Sequence, residues 1–124
     1  MHNRIHNARS PHQRDFKKVL CICSAGLLRS PTAAVVLAGE PFNCNTRTAG
    51  IEESYALVPV DDVLVHWADQ FVCMTQQHRS MFLDKYPNTD PNTIVVLDIP
   101  DNFAYRDPEL MRMIAERYTE LGNV

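Results

Sequence analysis

The chain predicts an α/β fold: a single three-layer domain with a four-stranded parallel sheet, order 2-1-3-4, flanked by helices. Three observations predict it. The 124 residues suit one compact domain with one core. Short apolar or β-branched runs alternate with longer segments of helical spacing, which implies right-handed βαβ crossovers. The first apolar run, Val19-Leu20-Cys21-Ile22-Cys23, is continuous rather than alternating, as a strand buried on both faces should be.

The elements follow in order. Val19–Cys23 is the first strand and ends in a Ser/Ala/Gly loop. Ser30-Pro31 opens a helix to about Ala38, with Ser as N-cap and Pro at the first helical position, and Gly39 and Pro41 stop it. Asn43 to Ala49 reads as a second strand whose polar alternation suggests a sheet edge. After a loop from Gly50 to Leu57, Pro59-Val60-Asp61-Asp62 starts a short helix with acidic residues in its first turn. Val63 and Trp67 fall at helical spacing within it, which makes Trp67 a core residue. Gln70 to Thr75 is a third strand, Gln76 to Tyr86 a helix ended by Pro87, and Thr93 to Leu97 a fourth strand rich in β-branched residues. Asp98 to Arg106 is a loop, and Asp107-Pro108 caps a last helix to about Leu121. Ligands of such sheets bind at the carboxyl ends of the strands, which selects the loops 23–30, 50–58, 76–79 and 98–107.

Composition excludes several classes. A hydrophobic share of 45% is ordinary for a globular domain. No apolar run approaches the roughly 18 residues of a bilayer span, and the N-terminus lacks the apolar core of a secretory signal, so a cytoplasmic location is expected. The first 18 residues hold five of the 12 Lys and Arg against one of the 15 acidic residues. Residues 1–17 therefore read as a flexible basic tail and 18–124 as the folded, acidic domain, with no face suited to nucleic acid and no membrane partner. Cys21, Cys44 and Cys73 lie in strand-like stretches and are expected to be buried free thiols. The cysteine spacing matches neither a zinc knuckle nor a CxxC pair, and His2, His6 and His12 have no ligand spacing, so neither metal nor cofactor is expected. His66 and His78 read as surface or core-edge residues without a partner.

One loop carries chemistry. Cys23-Ser24-Ala25-Gly26-Leu27-Leu28-Arg29 follows a strand and leads into the helix opened by Ser30. Backbone N–H groups of such a turn, together with a helix N-terminus, make an anion site. Gly26 permits the left-handed backbone that wraps a tetrahedral anion. Arg29 can grip two phosphate oxygens in a bidentate fork. The same positive field should favour the nucleophilic thiolate of Cys23. The Ser30 hydroxyl can cap the helix and donate to that thiolate.

Cys23 to Pro31 resembles the active-site signature of low-molecular-weight protein-tyrosine phosphatases. Thr48-Ala49-Gly50 is similar to the segment ending that family's second strand, and Phe71-Val72-Cys73-Met74 to its third. The likeness extends over about residues 18–121 and points to a shortened bacterial branch of predicted tyrosine phosphatases. It implies attack of Cys23 on phosphorus, a cysteinyl-phosphate intermediate, stabilisation of the equatorial oxygens by Arg29 and the loop amides, and hydrolysis by water, without a metal. The implied substrate is a phosphotyrosine-bearing protein or a small aryl phosphate. Gly26 replaces the family's usual Asn, and Leu28 stands where many members carry a second cysteine.

The leaving phenolate needs a proton from a carboxylic acid. Asp98 and Asp101 are the candidates. Asp98 adjoins the strand end and fits the simplest alignment. Asp101 fits an Asp-x-x-Asp-Asn segment resembling the acid loop of the RNA polymerase II tail phosphatase, and Pro100 can aim it over the pocket; Asp101 is preferred. Asp107 is read as the N-cap of the last helix. Tyr55, Phe103 and Tyr105 are the candidates for the walls of a phenyl slot. Two other readings stay open: a non-catalytic or weakly active phosphate-binding module, suggested by Gly26, and an arsenate reductase. The second lacks a cysteine relay in residues 74–124, which contain no cysteine.

Overall fold

The computed structural model describes residues 17–24, 29–52, 58–100 and 106–121, with Arg29 described in its backbone alone. Strands β1 (Lys18–Cys23), β2 (Asn45–Gly50), β3 (Gln70–Cys73) and β4 (Ile94–Val96) alternate with helices α1 (Arg29–Ala38), α2 (Asp62–Trp67), α3 (Gln76–Lys85) and α4 (Pro108–Leu121). The sheet is parallel throughout, in the order β2-β1-β3-β4 that the sequence predicts.

Alternate side chains of β1 enter two cores. Val19, Cys21 and Cys23 face a layer built on α1 and α4, with Ala34, Leu37, Leu110 and Ile114. Leu20 and Ile22 face the layer of α2 and α3, with Leu64 and Phe82. The continuous apolar run of β1 is thus that of a central strand covered on both sides. In the first layer Tyr118 Oη donates to Gln70 Oε1 at 2.7 Å, satisfying a buried hydroxyl.

Several boundaries differ from the sequence reading, each for a local reason. Asn43 has φ 55°, in the left-handed region, and its N–H bonds to Gly39 O, so Asn43 and Cys44 belong to a turn and β2 starts at Asn45. The polar residues of β2 do not face solvent: Asn45, Thr46 and Thr48 are buried, and Thr46 Oγ1 donates to Ala34 O at 2.9 Å. β2 is the sheet edge, yet α1 packs against it. The chain at Val58–Val60 also runs beside its end, where Gly50 N–H donates to Val58 O and Val60 N–H to Gly50 O. That passage delays α2, whose N-cap is Asp61 rather than a residue near Pro59. β3 ends at Cys73 because Thr75 caps α3, its Oγ1 accepting from His78 N–H. Thr93 closes a single 3₁₀ turn capped by Asp90 instead of opening β4. Trp67 packs against the second core from its rim, half-buried, with the Arg47 guanidinium over its ring at 4.4 Å.

Candidate active site

β1 delivers Cys23 at its carboxyl end, and the chain returns to that point as α1. The first-turn N–H groups of a helix have no intrahelical acceptor. Helix α1 opens at Arg29, so Ser30 lies within the first turn and is not the N-cap expected from the sequence; Pro31 costs nothing there, because that turn needs no N–H from it. The Ser30 hydroxyl goes instead to the cysteine: Cys23 Sγ and Ser30 Oγ are 3.1 Å apart, with Ser30 fully buried and Cys23 3% exposed. Ala25, Gly26, Leu27 and Leu28, between them, lie outside the described residues, as does the Arg29 side chain.

The root of this loop is held from both neighbouring strands. Ile51 N–H donates to Cys23 O at 3.0 Å and Glu52 N–H to Ser24 O at 2.9 Å, which continues the β2 side of the ladder. Met74 N–H donates to Ile22 O at 3.0 Å on the β3 side. From the start of α3, His78 Nε2 lies 2.8 Å from Ser24 Oγ, and either can donate. His78 is 3% exposed, so it is a buried site residue rather than a partnerless surface or core-edge histidine. The signal available in the sequence was its position in loop 76–79, at the carboxyl end of β3. His66 is exposed, as read.

The other three cysteines are free and buried, as expected. Burial pushes the Cys21 thiol well above its ordinary range and raises those of Cys44 and Cys73, Cys73 to about 12. All three are held protonated at neutral pH, which makes them poor nucleophiles.

The segment after β4 leaves and rejoins the body next to this site. Leu97 N–H donates to Cys73 O and Ile99 N–H to Met74 O. Asp98 between them is exposed, with φ 60°, and the Arg117 guanidinium of α4 donates to the carbonyls of Leu97 and Asp98. At the far end, Arg106 N–H donates to Thr32 Oγ1 at 3.0 Å, two residues beyond Ser30 on α1. Both ends of the loop from Asp98 to Arg106 are therefore tied near Cys23. Asp101, Phe103 and Tyr105 lie within it and outside the described residues, as does Tyr55. Asp107 caps α4, its Oδ1 accepting from Glu109 N–H at 2.8 Å, as the sequence predicts. Arg117 and Thr32 are anchors that the sequence reading did not single out.

Among the described residues, no group of three or more His, Cys, Asp or Glu could hold a metal ion, and no helix is long and apolar enough to cross a membrane. A groove of about 630 Å³ lies beside Asp69, Phe71 and Thr93, at the amino ends of β3 and β4. It is at the wrong end of the sheet for the chemistry, since parallel sheets bind ligands at their carboxyl ends.

No family model and no curated protein matches the chain. Solved structures do. The YwlE arginine phosphatase from Geobacillus stearothermophilus is similar at 20% identity and a TM-score of 0.62, over 83% of this chain and 86% of that one. Wzb of Vibrio vulnificus, in complex with benzylphosphonate, is similar at 20% identity and a TM-score of 0.67, over 85% and 96%. A low molecular weight protein tyrosine phosphatase from Bacillus subtilis is similar at 20% identity and a TM-score of 0.61, over 83% and 97%. This chain has the fold of those phosphatases.

Proposed function

We propose that the protein is a cysteine-dependent phosphatase that hydrolyses aryl phosphate monoesters, phosphotyrosine among them. The observation that carries the reading is the 3.1 Å approach of Ser30 Oγ to Cys23 Sγ where the loop closes. A hydroxyl donating to sulfur favours the thiolate, the form needed for attack. The fold shared with bacterial phosphatases supports the same reading.

In the proposed reaction the Cys23 thiolate attacks phosphorus in line with the leaving oxygen. The S–P bond forms as the P–O bond breaks, and Asp101 gives its proton to the departing phenolate. Asp98 is the alternative donor. The loop amides and Arg29 bind the equatorial oxygens, an electrostatic stabilisation matched to the charge of the transition state. Water, deprotonated by the same carboxylate, then breaks the S–P bond and releases orthophosphate and the thiolate. Ser30 stabilises that thiolate as the leaving group. Tyr55, Phe103 and Tyr105 are proposed as pocket walls.

A second reading of the substrate is a phosphoarginine side chain, because an arginine phosphatase shares the fold. Hydrolysis of a small aryl phosphate by the wild type and by Cys23→Ser, beside a phosphoarginine peptide, tests both. The expected result is aryl phosphate turnover that disappears in Cys23→Ser. A wild type inactive on both at mildly acidic and neutral pH sinks the enzyme reading and leaves a phosphate-binding module. Preference for the phosphoarginine peptide replaces the aryl substrate class.

A further inference from the structure

Between Cys23 and Arg29 the loop reads Ser-Ala-Gly-Leu-Leu, so Ser24 alone offers a side-chain hydrogen-bonding group. That hydroxyl is bound 54 residues away in the chain, by His78 Nε2 at 2.8 Å. We propose that His78 is a positioning residue of the phosphate loop, holding Ser24 and through it the N–H groups that receive phosphate. The proposal rests on the phosphate-loop reading given above.

The anchor is itself fixed. His78 is 3% exposed, stands in the first turn of α3, and has its N–H on Thr75 Oγ1 at 3.2 Å. β3 sets the height of that turn against β1 through the pairing of Ile22 with Cys73 and the bond from Met74 N–H to Ile22 O. The backbone that carries the ring is therefore fixed, and the ring is enclosed by its surroundings. On the other side of β1, Glu52 N–H holds the Ser24 carbonyl at 2.9 Å. Ser24 is thus gripped from the segments that follow β2 and β3, by its carbonyl on one side and its hydroxyl on the other. A loop otherwise made of alanine, glycine and leucine has no side-chain bond of its own to hold its shape. Supporting a binding loop from rigid elements preserves a geometry in which displacements well below 1 Å matter.

The test reads the phosphate site without turnover. Iodoacetate alkylation of Cys23 is followed by fragment mass spectrometry while orthophosphate is titrated. Wild type is compared with His78→Phe, which keeps a ring without its nitrogens, and with Ser24→Ala, His78→Gln and the Ser24→Ala/His78→Phe pair. The half-protecting phosphate concentration should rise about tenfold in each of the first two, the size of one lost hydrogen bond. The double variant should be no worse than the worse single one, and His78→Gln should recover most of the protection. Unchanged protection in both His78→Phe and Ser24→Ala, or multiplied effects in the pair, overturns the proposal while the phosphate site stands. If orthophosphate fails to protect wild-type Cys23, the phosphate-site reading falls, and the role of His78 falls with it.

Discussion

Cys23 and Ser30, seven residues apart in the chain, bring Sγ and Oγ to 3.1 Å where β1 hands over to α1. A hydroxyl that donates to sulfur should matter most when sulfur carries charge, before attack on phosphorus and again when the S–P bond breaks. Ser30→Ala should lower kcat by roughly 10- to 100-fold, the range of one hydrogen bond to an ionised group. Pre-steady-state kinetics should show a larger burst in the variant, because breakdown of the intermediate is slowed. A kcat within twofold of wild type would remove Ser30 from the mechanism.

The acid can be assigned by leaving group. Asp101→Asn should lower kcat/KM, which reports the steps up to departure of the phenolate, by on the order of 10²- to 10⁴-fold with a phenyl phosphate and much less with p-nitrophenyl phosphate, whose phenolate departs unaided. Asp98→Asn should leave both rates near wild type, since Asp98 is exposed and its backbone is what Arg117 holds. Asn is chosen at position 98 because it tolerates the φ of 60° there. The reverse pattern transfers the role to Asp98.

Thr32 on α1 accepts from Arg106 N–H and so ties down the end of the 98–106 loop, which carries the proposed acid. Thr32→Val keeps the shape and removes the acceptor. The anchor is worth about 0.5–1.5 kcal/mol, so turnover of phenyl phosphate should fall about two- to tenfold. Binding of orthophosphate should be unchanged, which separates loss of the acid from damage to the phosphate site.

Stability should fail at alkaline pH. Burial raises Cys73 from its ordinary 9.0 to about 12, pushes Cys21 well above its ordinary value, and raises Tyr118. Each is neutral when protonated, and the folded state holds its proton more tightly than the unfolded chain. The stabilisation is fully present below the ordinary thiol value of 9.0 and is lost as pH climbs through the folded ones. Urea titrations should give a free energy flat to about pH 8 and falling by several kcal/mol toward pH 11. Cys73→Ala should be less stable at pH 7 but show a shallower alkaline slope. Identical slopes would mean that Cys73 ionises without penalty.

Local information in the sequence determined most of the architecture. The continuous apolar run of β1 marked a central strand, and Asp107-Pro108 marked the start of α4. Such features are set by hydrogen-bonding and backbone preferences within a few residues of one another. Tertiary structure decided the partners. Ser30 reads in sequence both as an N-cap and as a partner of the Cys23 sulfur, and the return of the chain from β1 to α1 selects the second role. His78 shows no partner in its own segment, because Ser24 is 54 residues away and meets it only through the register of β1 with β3. Likewise Arg117 and Thr32 secure the loop after β4 only because α4 and α1 pack in the same layer. Side-chain contacts across a parallel sheet depend on strand order and register, which no short window of sequence contains.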